Sequence, residues 1–389
     1  MVPEGWSIKK LGEVGELQRG FDLPKEKRKK GSIPIISSGG VTGYHDTPKA
    51  MAPGVVTGRY GSIGDVFYID QDYWPLNTAL WVKDFHGNDE KFIYYLLCSF
   101  NFEKFSDKTG VPGVNRNDLH SIKVYTPPPS EQVKIAKILS TWDEAITYKK
   151  QLLANSKQQK KALMQQLLTG KKRLPGFGRP GKGGYSRKGL PNEWDFERIG
   201  NVAEEVADRN KGCEEVPVLS CSKYDGFVDS LKYFKKKVYS DDTSNYKLIR
   251  CGEFGFPANH VEEGSIGLQS THDKGIVSPI YVVFRVDPSR IDPFFLYKVL
   301  KSDHYRQVFS ASTSASVDRR GSLRWKQFSG IKVPLPSMEE QKSISTVIQL
   351  AEKEEELLEY SLDRLRSEKK ALMQQLLTGK RRVTIDGAE

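Results

Sequence analysis

The chain has 389 residues, enough for two or three domains that each bury a core of their own. Its 60 Lys and Arg outweigh 49 Asp and Glu for a net charge of +11, a surplus that suits a polyanionic partner. No window approaches the ~18 apolar residues of a membrane span, and MVPEGWSIKKLGEV lacks the apolar core of a signal peptide, so no membrane partner and a cytoplasmic location are expected.

The first half opens with PEGWSIKKLGEV at 3–14 and runs into a basic cluster, KEKRKK. Lys25, Lys27, Arg28, Lys29 and Lys30 of that cluster are candidates for phosphate contact from a loop. IPIISSGGVTGYHD, GVVTGRYGSIGDVFYID and TALWV then read as strands and turns, with a helix predicted over 92–100. Arg59, Tyr60, Asn115 and Arg116, on loops, carry the forked, aromatic or amide groups that reading base edges requires. Three prolines at 127–129 stop this domain, 1–129, and a stretch free of Gly and Pro follows from 130 to Gly170. That stretch predicts a helix of roughly 60 Å, with Ser130 as N-cap. Its four-three spacing selects Ile135, Leu139, Trp142, Ile146, Lys149, Leu153, Ser156, Lys160, Leu163 and Leu167, a coiled-coil seam with polar interruptions.

Residues 171–190 are crowded with Gly, Pro and positive charge and read as a linker. Gly176, Gly178 and Gly181 spell G-x-G-x-x-G there, but no strand precedes them and Pro175 and Pro180 forbid the helix a dinucleotide site needs. A second domain, 191–336, opens with PNEWDFERIGNV, in which Trp194 and Gly200 match Trp6 and Gly12. Its strands VPVLSCSKYDGFVD and SPIYVVFRV flank a second basic run, which supplies Lys235, Lys236 and Lys237. Asn259, His260, Arg319 and Arg320 are its loop candidates for base contact, with Arg116 and Arg319 each two residues after a valine, Val114 and Val317. A second long helix follows over 337–380, with Ser337 as N-cap, and a tail over 381–389.

The two halves are copies of one frame. KKALMQQLLTG stands letter for letter at 160–170 and 369–379, and this offset of 209 holds back through Glu131-Gln132 and Glu340-Gln341 to IKV at 122–124 and 331–333. The opening motifs are offset by 188, so the second middle is longer by 21 residues. The fold class expected is α+β: two related domains separated by two long antiparallel helices that form a coiled coil, related by an internal pseudo-two-fold. Leu163, Gln165, Gln166 and Leu167, with Leu372, Gln374, Gln375 and Leu376, are candidates for docking two identical partners on the two copies.

Bond-making chemistry finds no motif. G-x-x-x-x-G-K-[ST] and N-P-P-[YF] are absent, and His260-x-Glu262 lacks the P-C-x-x-C of a deaminase. The four cysteines form no C-x-x-C pair, which supports neither a zinc knuckle nor a disulfide framework. No catalytic or metal-binding residue is expected.

The paired P-x-x-W openings, the repeated Glu-Gln and the two helices ending in LLTG resemble the specificity (S) subunit of type I restriction-modification systems, and the resemblance covers the whole chain. It implies that each variable middle is a target-recognition domain reading one half of a bipartite double-stranded DNA site, with the helices setting the gap. It further implies two modification (methyltransferase) subunits docked on the helices and restriction subunits beyond them. S-adenosylmethionine, ATP and Mg would belong to those partners, leaving this chain without a cofactor. No individual base contact is carried over. The rival readings are a non-catalytic coiled-coil scaffold that reads no DNA sequence, and a DNA-modifying enzyme with an unfamiliar site.

Overall fold

The structure, a computed structural model, describes residues 2–105, 113–178, 191–211, 215–314 and 322–384. The chain packs into two compact units, Met1–Leu153 with Leu358–Glu389, and Ala154–Leu357. Each of two long helices, Pro129–Leu167 and Met338–Leu377, therefore contributes to both units. Among the described residues no helix is long and apolar enough to cross a membrane.

In the first unit, strand Ser7–Lys10 pairs antiparallel with Lys123–Thr126, which brings together the two ends of the variable middle. Between them lies a four-stranded antiparallel sheet in the order Glu16–Arg19, Ala79–Asp84, Gly54–Gly58, Val66–Ile69. A three-stranded sheet adds Gly40–His45, Ile33–Ser37 and Trp74–Pro75, the last pair parallel. Helix Glu90–Cys98 starts at Asp89, whose carboxylate accepts the Phe92 amide at 2.7 Å, and it turns Phe92, Ile93, Leu96 and Leu97 inward. They share a core with Trp6, Leu11 and Val14, with Ile135 and Leu139 of the first long helix, and with Leu376 and Leu377 of the second.

The second unit repeats the plan with different residues. Asp195–Arg198 pairs with Lys332–Leu335, and the four-stranded sheet runs Ala203–Val206, Tyr281–Val286, Phe254–Pro257, Gly267–Leu268. Helix Pro293–Leu300 is capped by Asp292 as its counterpart is by Asp89. Phenylalanines dominate this core: Phe254 stacks on Phe284 at 4.8 Å and Phe256 lies 4.7 Å from Phe328, beside Leu167, Ile344 and Ile348 of the long helices and Leu168 just past the first. Helix Asp303–Ser314 and the strand pair Lys247–Arg250 with Lys274–Val277, both absent from the sequence reading, lie here.

Within each unit the long helices run antiparallel. In the first, Asp143 takes the Lys369 ammonium at 2.5 Å, and Glu131, twelve residues earlier, takes the Arg382 guanidinium, thirteen residues later. In the second, Lys160 meets Glu355 at 2.8 Å and Arg173 meets Glu340. Lys160, a polar interruption of the seam, thus pairs inside the protein, as does Lys369, its counterpart in the repeat, and such half-buried pairs fix register. Ser337 caps its helix, its hydroxyl accepting the Glu340 amide at 3.3 Å. Ser130 does not: the first helix already begins at Pro129, where a proline suits the first turn because that N–H has no partner to lose.

The motif residues meet at one seat, built twice. Glu131 is buried and accepts the Trp6 indole N–H at 3.1 Å and the Arg382 Nε at 2.9 Å. Glu340 accepts the Trp194 indole at 3.0 Å and the Arg173 Nη2 at 2.8 Å. The neighbouring glutamines, Gln132 and Gln341, accept the amides of Asp89 and Asp292 at 2.9 and 2.8 Å and donate back to the carbonyls of Pro127 and Pro336. Gly379 and Gly170, with φ of +70° and +66°, end the helices; a Cβ at either would fall 2.4 Å from Pro3 or Pro191. Glycine is required there by both the backbone angle and the close approach.

Candidate nucleic-acid interface

In the first unit the loop after strand Gly54–Gly58 carries Arg59 and Tyr60. Their amides both bond to the Thr78 carbonyl, and the Arg59 carbonyl accepts the Val114 amide at 2.9 Å. Arg59 and Tyr60 are thereby placed beside 113–116, uniting four of the sequence candidates. Tyr60 lies so close to Gly113 that a Cβ there would sit 2.6 Å from its ring. The Arg59 guanidinium stacks over Tyr60 at 4.3 Å and donates to the Asn77 carbonyl at 3.3 Å, so it is held in place, while Tyr60 stays 47% exposed. Asn115 caps helix Arg116–His120, its side-chain oxygen accepting the Asn117 amide at 2.9 Å, and Arg116 is exposed at its start. His120, behind it, accepts the Leu17 amide at 2.9 Å; burial and then the Arg116 charge hold its pKa below the usual value.

The basic cluster of this unit divides. Arg28 turns back to the Leu23 carbonyl at 3.4 Å and Lys29 lies 4.0 Å from Asp46, whereas Lys25, Lys27 and Lys30 are exposed with no ion pair among the described residues. Lys49, which sequence reasoning missed, lies over the rings of Trp74 at 5.5 Å and Phe21 at 6.0 Å. No run of like charge marks it in the sequence.

In the second unit Asn259 and His260 follow the equivalent strand, and the Ala258 carbonyl accepts the Leu323 amide at 2.7 Å. This is the Arg59–Val114 contact again. Leu323 therefore stands where Val114 does, and Arg324 and Trp325, at the start of helix Trp325–Phe328, correspond to Asn115 and Arg116. The matching of Arg116 with Arg319 is thus corrected: the offset of 209 that holds for the helices continues through this loop, and applied to Asn115 it would have found the exposed Arg324. Arg319 and Arg320 lie outside the described residues. His260 points its Nδ1 at Glu263, 3.4 Å away, and ligand atoms of His260, Glu262 and Glu263 lie within 4.8 Å of one another. That makes its surroundings acidic and poor for a phosphate. Lys235, Lys236 and Lys237 are exposed, the last paired with Asp241.

The docking candidates also divide. Leu167 and Leu376 are fully buried, Leu163 and Leu372 partly so, each packed in the core of its unit against the Trp194 or Trp6 seat. Leu167 and Leu376 are not available to a partner, and two identical seats account for much of the verbatim repetition. Gln165, Gln166, Gln374 and Gln375 are exposed. Burial pushes the Cys98 thiol up to about 11 and the Cys221 thiol up to about 12, so both stay protonated and unreactive at neutral pH.

Residues 3–157 match the family described as the type I restriction modification DNA specificity domain. The chain is thus similar to the specificity subunits of type I restriction-modification systems. Among its relatives is the type I restriction enzyme MjaVIII specificity subunit of Methanocaldococcus jannaschii, 29% identical across 76% of this chain and 71% of that one. The fold of the chain matches the type I restriction-modification S subunit of M. genitalium with a TM-score of 0.59 at 17% identity, over 98% and 97% of the two chains. A chain solved in work on complex assembly and conformational transition of the type I R-M system gives 0.58 at 16% identity, over 98% and 100%.

Proposed function

We propose that this chain is the DNA-sequence-specificity subunit of a type I restriction-modification complex and does no bond chemistry itself. Each unit reads one half of a bipartite site in double-stranded DNA, and the long helices set the gap and dock two modification subunits, with restriction subunits joining them. S-adenosylmethionine, ATP and Mg are then needs of those partners.

One observation carries this reading: both units hold the same pair of loops by the same backbone bond, Arg59 to Val114 and Ala258 to Leu323, yet dress them with unlike side chains. Arg59, Tyr60 and Arg116 stand in one, Asn259, Arg324 and Trp325 in the other. A constant frame with exchanged planar and amide groups is what two different half-sites require, because arginine pairs bidentately with guanine and asparagine with adenine. The surplus of +11 supplies affinity that does not depend on sequence. The test is methylation mapping in a host that carries the complete system, with and without this chain. A two-part methylated motif present only with the chain is expected; an unchanged pattern rules the reading out.

A further inference from the structure

The second middle is longer in one place above all. Between the hairpin that ends at Asp229 and the sheet strand that begins at Phe254 it has 24 residues, where the first unit has 8 between His45 and Gly54. The added stretch leaves the body of the unit and returns to it at defined anchors. At the start, Ser230 is buried, its amide bonded to the Val218 carbonyl at 2.9 Å, and Asp229 caps helix Ser230–Phe234 by accepting the amides of Leu231 and Lys232. At the return, Tyr239 packs on Tyr246, Leu248 and Ile276, and the Ser240 amide donates to the Tyr246 hydroxyl at 3.2 Å.

Every residue from 231 to 238 is exposed. Four of them are large and apolar: Leu231 at 50% exposure, Tyr233 at 49%, Phe234 at 44% and Val238 at 47%, with the Tyr233 and Phe234 rings set edge to face at 5.1 Å. The other four are lysines. Lys232 lies 3.8 Å from Asp229 and Lys237 pairs with Asp241, whereas Lys235, which ends the helix at a φ of +53°, and Lys236 make no ion pair among the described residues. Contiguous apolar surface held out in water marks a binding face, and lysines interleaved with it select an anionic partner that also offers flat apolar surface. Duplex DNA does, with phosphates outside and sugars and base steps within reach.

We propose that residues 231–238 form a DNA-contacting arm private to the second unit, with Lys235 and Lys236 on phosphates and Tyr233 and Phe234 against sugars or an opened base step. The arm rests on the DNA-reading function proposed above, and it gives the second half-site an apolar contact for which the first unit has no equivalent segment.

The test uses the full chain and the duplex it selects from a randomised pool. Lys235→Ala with Lys236→Ala should flatten the dependence of log affinity on log salt by about one to two. Tyr233→Ser with Phe234→Ser should weaken binding about tenfold or more and leave that slope unchanged. These positions are exposed, so melting at the wild-type temperature shows that the variants fold, and the lysine pair answers alone if the aromatic pair does not. Wild-type affinity and slope in the folded variants overturn the arm while leaving the DNA-reading function intact. Loss of binding to phosphatidylserine vesicles with DNA affinity unchanged also overturns it. A wild-type chain that selects no sequence takes both down.

Discussion

Glu131 and Glu340 show what a repeated pair of letters was for. The Glu-Gln signature was legible as a repeat, but its role was not, because the partners lie at Trp6 and Arg382 in one case and Trp194 and Arg173 in the other, far away in sequence. Removing a buried carboxylate strands the guanidinium and indole that faced it, at about 3 kcal/mol for a well-buried pair. The Arg173 side chain is 18% exposed and that of Arg382 42%, so water can take over more of the second charge. Glu340→Ala should therefore cost more than Glu131→Ala in urea unfolding, and equal losses would mean the arginines contribute little. His120 gives a pH signature. Its folded pKa lies below the usual 6.5, so the unfolded chain takes up the proton first and stability falls as pH drops through and below that value, levelling off only beneath the folded pKa. His120→Gln should remove this component from melting temperatures recorded against pH, with no change above neutrality.

Among the elements, the long helices and the strands on either side of Arg59 follow from the sequence, because absence of Gly and Pro, and alternation, are local properties. Helix Asp303–Ser314 did not, since its Ser- and Thr-rich end reads as loop until Tyr305 and Phe309 find the phenylalanine core. Leu167 and Leu376 of the repeated segment were legible as important, but their burial was not, because the residues they pack with, Trp194 and Trp6, belong to the opening motifs. The seam lysines show the same limit. Lys160 and Lys369 occupy identical sequence, yet one takes Glu355 and the other Asp143. A double-mutant cycle at Lys160 and Glu355 with methionine in both places should show strong coupling: each single change destabilises, and the double loses less than their sum. Additive losses would mean that the pair is merely adjacent.

For the whole molecule, the proposed function makes the helices the measure of the gap between half-sites. Deleting one turn from each, ~5.4 Å, should change the accepted gap by about one to two base pairs at ~3.4 Å each, as read by methylation mapping. Retained activity with the old gap would exclude a measuring role.

The seat of Gly379 on Pro3 reproduces that of Gly170 on Pro191, although a peptide leads from 170 to 191 and none leads from 379 to 3. Contact, then, and not covalent order, closes each ring of the frame, and which half the gene encodes first is one of two equivalent choices. A rearranged polypeptide that is cut within 179–190 and spliced from Gly379 to Pro3 by a copy of 171–190 should melt as the natural one does; failure to fold would show that the intact linker does more than tether.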